Sequence, residues 1–177
     1  MSWLPVASAA LDANSANLAN VTFRQRIENA GLINTGFAKW RVTFMAGSTE
    51  GANIGKAYIG QCADSGDYDF AATPTQLLFS GNPNVLIGAG STTISDEVLF
   101  TLASGKNLLI SFFVANDISH DIVKYKTTLA NWQYYFKAGD DAATVDATGY
   151  TTATNDAMGV SLIEAFSPDG IQVIIMA

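Results

Sequence analysis

Apolar and polar residues alternate with period two along much of this chain. One stretch, 104–116 (SGKNLLISFFVAN), departs from the alternation by being apolar in both registers. Leu108, Ile110, Phe112 and Val114 fall on one side; Leu109, Ser111, Phe113 and Ala115 fall on the other. Neither side is reliably polar, which predicts a strand covered on both faces at the centre of a sandwich. The run is too short to cross a bilayer as a helix, and its aromatic and β-branched content, bounded by Ser-Gly and Asn-Asp, favours a strand.

The other segments read as half-buried antiparallel strands. In 21–28, Val21, Phe23, Gln25 and Ile27 alternate with Thr22, Arg24 and Arg26, and the two arginines are expected to pair with acids. In 38–46, Trp40, Val42 and Phe44 point inward. Strand 54–62 contains Gly55 and Gly60, which predict a bulge or a close backbone contact. Short strands follow at 76–80, 85–87 and 97–102. An aromatic strand at 132–137, a long polar loop at 139–155 and two closing strands, 158–166 and 171–176, joined by the SPDG turn, complete the series. About ten short strands separated by turn signals, with no amphipathic helix, predict an all-β antiparallel sandwich of jelly-roll-like form. Residues 1–19, rich in Ala, Asn and Ser, read as an N-terminal arm, and 20–177 as one sandwich domain. The apolar tip of the arm, Trp3, Leu4 and Val6, either docks on a neighbouring subunit or folds back on its own domain.

Charge narrows the partners. The net charge is −7, and only 14% of residues are charged. Through Gly60 there are five Lys/Arg against three Asp/Glu, and beyond it four Lys against thirteen acids. The chain therefore offers no basic face to nucleic acid. No stretch has the length of a transmembrane helix, and the first twenty residues lack the basic start and apolar run of a secretory signal, so a protein made in the cytosol is expected.

Candidate chemistry is sparse. Cys62 and His120 are each the only one of their kind, and nothing in the sequence ties them together as nucleophile and base. Asp64, Asp67 and Asp69 lie within six residues and offer the oxygens calcium takes, although the spacing matches no loop motif and lacks a bidentate Glu. The aromatic face of the 132–137 strand reads first as core; rings that stay exposed would instead stack on a sugar or meet a subunit, with Tyr68, Trp132, Tyr134, Tyr135 and Tyr150 the candidates for sugar contact. There is no G-x-S-x-G, no phosphate-cradling GxxxxGK and no His-rich or Cys-rich cluster for a metal, so neither an enzyme nor a cofactor is expected.

Several segments, in order, resemble the β-sandwich accessory domain that precedes the catalytic domain of SGNH-type (GDSL) esterases. They are WRVTF at 40–44, IGKAYIG at 54–60, LLFSG at 77–81, VLIGAGSTTISDEV at 85–98 and NLLISFFV at 107–114. A weaker echo continues through WQYYFKAGDD at 132–141 and GVSLIEAF at 159–166, so the likeness spans roughly 38–176. In those esterases a strand like IQVIIMA runs into a Gly-Asp-Ser nucleophile segment, which this sequence does not contain. The resemblance thus implies a sandwich module without the catalytic half, and its motifs name no catalytic residue. The expected function is structural: a decoration, collar, fibre or tail-associated subunit of a bacteriophage virion, with other virion subunits and copies of itself as partners. The alternative is a carbohydrate-binding module for a cell-surface glycan or for a separately encoded hydrolase.

Overall fold

The two-sided run is buried on both of its faces. In a computed structural model, which describes residues 2–28, 39–63, 68–115, 117, 120, 122–152 and 156–167, the strands in chain order are β1 (Ser2–Ser8), β2 (Ala13–Asn14), β3 (Val21–Ile27), β4 (Lys39–Met45), β5 (Ala52–Gln61), β6 (Thr75–Leu77) and β7 (Val85–Ile87). They continue with β8 (Thr92–Ile94), β9 (Val98–Leu99), β10 (Leu108–Val114), β11 (Lys124–Lys126), β12 (Trp132–Ala138), β13 (Thr151–Thr152), β14 (Ala157–Met158) and β15 (Val160–Ser167). Seven of these run for seven residues or more, and the rest for two or three. No helix occurs among the described residues.

All described pairings between strands are antiparallel. The smaller layer is ordered β1-β15-β4-β8, with β9 also on β4; the larger is ordered β13-β12-β3-β10-β5-β6, with β7 also on β5. The path is simplest if β6/β7 and β8/β9 each count as one interrupted strand and the β12–β13 pair is set aside. One layer then holds the first, eighth, third and sixth strands, and the other the second, seventh, fourth and fifth, which is the double Greek key of a jelly roll. A small sheet, β14-β11-β2, closes one end.

The core follows from the alternation. Trp40, Val42 and Phe44 of β4 are buried against Leu108, Ile110, Phe112 and Val114 of β10. Phe44 meets Phe112 edge-on across the layers at 5.5 Å, and Phe23 stacks on Phe112 within its own sheet at 5.4 Å. Each such ring, removed from water, contributes about 1.5–3 kcal/mol. The one polar atom that Trp40 brings inside is satisfied, its Nε1–H donating to the Phe100 carbonyl at 2.8 Å. Gly55 is the bulge residue: β10 pairs Phe113 with Lys56 and Val114 with Ile54, which skips it. Gly60 is the close contact, since a Cβ there would lie 2.5 Å from the Phe70 ring.

The N-terminus differs from an arm. Residues 2–8 pair along β15 from Ser2↔Ser167 to Ser8↔Leu162, so this stretch is a strand of the sandwich. Leu4 and Val6 alternate with Trp3 and Pro5, and that period-two pattern lets Val6, with Ala9 and Leu11 beyond it, enter the core. Of the two readings of the tip, folding back is the one the pairing shows. The expected strand at 171–176 and most of its SPDG turn lie outside the described residues.

Candidate functional site

Strand β3 places Phe23 and Ile27 inward and Thr22, Arg24 and Arg26 on the outer face of the larger sheet. That face is not left to water, because residues 68–70 and 139–150 fold across it. Arg24, fully buried, holds this cover down. Its Nη1 donates to the carbonyls of Tyr68 (2.9 Å) and Val145 (3.2 Å), and its Nη2 to those of Thr144 and, at 3.4 Å, Asp146. The guanidinium also lies over the rings of Phe70, at 5.0 Å, and Tyr150, at 4.6 Å. The expected acid partner is replaced here by carbonyls, since the covering segments run past the guanidinium with their backbone toward it. Arg26 does pair with an acid, Glu28, at 3.3 Å.

The rest of the cover is tied at several points. The Thr22 hydroxyl donates to the Gly139 carbonyl (2.6 Å) and accepts from the Asp141 N–H (2.9 Å). Lys137 pairs with Asp141 and donates to the Thr148 carbonyl at 3.1 Å. Burial pushes the Asp141 carboxyl up, but bonds from Lys137 and Thr144 and the charges of Lys137 and Arg24 outweigh it and hold the group below the usual range. Asp146 is also held low, chiefly by its hydrogen bond from Thr148. Asp69 accepts the Ala147 N–H at 2.6 Å. Between Tyr68–Asp69 on one side and 146–149 on the other lies an open cleft of about 250 Å³.

The five sugar-stacking candidates do not form one platform. Trp132, Tyr135 and Tyr150 are buried, while Tyr68 and Tyr134 are half-buried. Trp132 and Tyr134 face the core side of β12, whereas Tyr135 on the opposite side clusters with Tyr68 and Tyr150 of the cover, with Tyr68 stacked on Tyr135 at 3.6 Å. Burial raises the hydroxyl pKa of Tyr134, Tyr135 and Tyr150. Of the five, Tyr68 alone lines the cleft. Asp64 and Asp67, two of the three calcium candidates, lie outside the described residues, and the third, Asp69, holds the Ala147 amide. Among the described residues no three His, Cys, Asp or Glu converge as metal ligands.

Cys62 and His120 are set far apart. Cys62 is buried just beyond the last residue of β5, and the His120 ring packs on Gly51, just before the first. Ten strand residues separate them by roughly 30 Å, which excludes a nucleophile–base pair between the two.

The outer face of the smaller sheet carries exposed apolar residues. Its registers place Trp3, Phe166, Lys39 and Leu99 in one row across β1, β15, β4 and β9, with Pro5, Glu164 and Arg41 in the next. A third row holds Ser8, Leu162, Thr43 and Ile94. Arg41 forms a two-pronged pair with Glu164 (2.8 and 3.0 Å) and lies 4.3 Å over the Trp3 ring. Trp3 meets Phe166 edge-on at 5.6 Å. Leu99 is 71% exposed and Ile94 42%. Leu99 carried no signal in the sequence beyond lying in a short strand, and Ile94 fell between expected strands. Their exposure becomes apparent only once β4 is known to be flanked on that side by two-residue and three-residue strands. No family model and no curated protein sequence matches this chain.

Proposed function

We propose that the chain is a non-enzymatic structural subunit of a bacteriophage virion, of the decoration, collar, fibre or tail-associated kind, and that it works by contact. The observation that carries this reading is the asymmetry of the two outer faces. The larger sheet is covered around Arg24 by its own loops and leaves Leu86 exposed on β7, while the smaller one presents Leu99 and Ile94 beside the half-buried Trp3 and Phe166. A jelly roll fits the role, because its two layers make a stiff body whose faces and loop ends are free to engage neighbours. Fold alone does not assign function, so the smaller sheet's outer face bears the argument. Many weak contacts suffice in a particle, since repeated copies convert each into an effectively intramolecular one. The likeness to the esterase accessory sandwich is in keeping with a module that serves a larger assembly.

The test is mass spectrometry of density-purified particles from cells that express the protein with its neighbouring genes. The protein is expected at many copies per particle, and its absence from clean particles overturns the reading. The cleft beside Tyr68 favours a second reading, recognition of a neutral sugar, because one ring edge and two carboxylates suit hydroxyls. Titration with neutral monosaccharides would move the Thr148 and Gly149 amide resonances if it holds, and leave them in place if it does not.

A further inference from the structure

We propose that the outer face of the smaller sheet binds a second copy of this chain, face to face across a two-fold axis parallel to the strands. The inference deepens the reading of the chain as an assembling subunit and rests on it. It comes from the strand order together with the register. The face is four strand positions wide, β1, β15, β4 and the interrupted β8/β9 position, so its midline falls between β15 and β4. A two-fold axis along that line exchanges outer with outer and inner with inner. The first row then reads against its own reverse, with Leu99 of one copy over Trp3 of the other and Lys39 over Phe166. In the second row, Arg41 of each copy comes over Glu164 of its mate, and in the third Ile94 lies over Ser8 and Thr43 over Leu162. Exposed aliphatic meets aromatic, and base meets acid, which is the self-complementarity that an isologous contact requires.

Charge selects this occupant. Among the described residues, Lys39 and Arg41 are matched on the face by Glu97 (2.7 Å from Lys39) and Glu164, for a sum of zero in a chain of net charge −7. Two copies can meet here without setting like charges together. A polyanion or an anionic bilayer gains nothing from a neutral face. The sheet edges oppose the alternative of strand-to-strand extension: β1 carries Pro5 and an irregularity between Pro5 and Ala7, and β8 and β9 are only three and two residues long. Four strands of seven residues span roughly 19 by 23 Å, ~440 Å² per copy in plan. That is below the ~800 Å² per partner of a standard interface, so the free dimer is weak and strengthens only in an array.

Sedimentation velocity of the full chain from low micromolar to near-millimolar concentration is the test. Wild type is expected to pass from monomer to dimer over that range, and Leu99→Asp to weaken the association by at least about tenfold. Leu86→Asp, at a residue 57% exposed on β7 of the other sheet, is expected to leave it unchanged. Circular dichroism melts establish that each variant folds, and both sites are exposed. A bismaleimide of about 10 Å span should link Ser8→Cys to Ile94→Cys in the double variant, in line with the spacing of stacked sheets. A wild-type monomer throughout, association that Leu99→Asp leaves intact, or cross-linking no stronger than in the Leu86→Cys control overturns the proposal. A protein found in particles yet monomeric in solution defeats this inference alone. A dimer absent from particles defeats the virion reading and leaves the interface standing.

Discussion

Replacing Arg24 with Met should release the cover over the larger sheet while leaving the sandwich folded. The guanidinium supplies hydrogen bonds to the carbonyls of Tyr68, Thr144 and Val145, with a longer one to Asp146, and fills the space between Phe70 and Tyr150. Charge-assisted bonds contribute ~1.5–3 kcal/mol each, but Met also removes the desolvation cost of a buried cation, and carbonyls on an opened loop regain water. The balance is a loss of ~2–3 kcal/mol, borne locally. At about 1.4 kcal/mol per decade, this speeds amide exchange in the loop roughly 30- to 150-fold. The amides to follow are Ala147, bonded to Asp69, and Tyr150, bonded to the Ala147 carbonyl at 3.1 Å. Amides of β10 should change far less, because their partners in β3 and β5 are untouched. Arg24→Lys keeps the charge but not the planar fork that reaches carbonyls on both covering segments, and should recover only part of the loss. If Ala147 and Tyr150 keep wild-type protection in Arg24→Met, or if β10 loses as much as they do, the idea of Arg24 as the fastening is wrong.

Acid should act on the same loop. Asp141 and Asp146 have folded pKa values below their ordinary ones, so their contribution is complete above the unfolded value near 3.8 and is lost as pH falls through the folded values. Loop protection should therefore hold from neutrality to about pH 4 and decline below it, less steeply in Asp141→Asn, as read by exchange at a series of pH values. Gly60→Ala drives a Cβ to within 2.5 Å of a Phe70 ring already held beneath Arg24. Overpacking of this kind costs about 1–3 kcal/mol, and the urea midpoint should fall accordingly. Phe112→Ala opens a hole beside Phe23 and Phe44 and should cost about 3–5 kcal/mol in the same measurement.

What the sequence made legible was what depends on near neighbours. The double-sided β10, the inward Trp40-Val42-Phe44 triplet and the two glycine roles at 55 and 60 follow from period and side-chain volume, and the structure has each of them. The N-terminal strand was obscured because Pro5 and the Ala/Asn/Ser run beyond it outweigh a short alternation of Leu4 and Val6. Arg24 was misread for a different reason. An arginine on a strand face normally finds a carboxylate, and only the return of residues 68–70 and 144–146, more than forty positions away, surrounds it with carbonyls. The aromatic candidates split across the two faces of β12, as its own alternation dictates, but which rings are covered depends on loops the local pattern does not reveal.

The pairing of β1 with β15 has a consequence for how the chain comes off the ribosome. Strands β3, β5 and β10 can join as soon as residue 114 is out, yet the opposite wall stays in two pieces, β1 on one side and β4 with β8 and β9 on the other, until β15 arrives to bridge them. The intervening stretch of nearly fifty residues takes roughly three to ten seconds to translate. For that interval the cover over Phe112, Ile110 and Ile59, all buried in the finished fold, is incomplete, which makes the nascent chain, rather than the finished one, the form most in need of a chaperone.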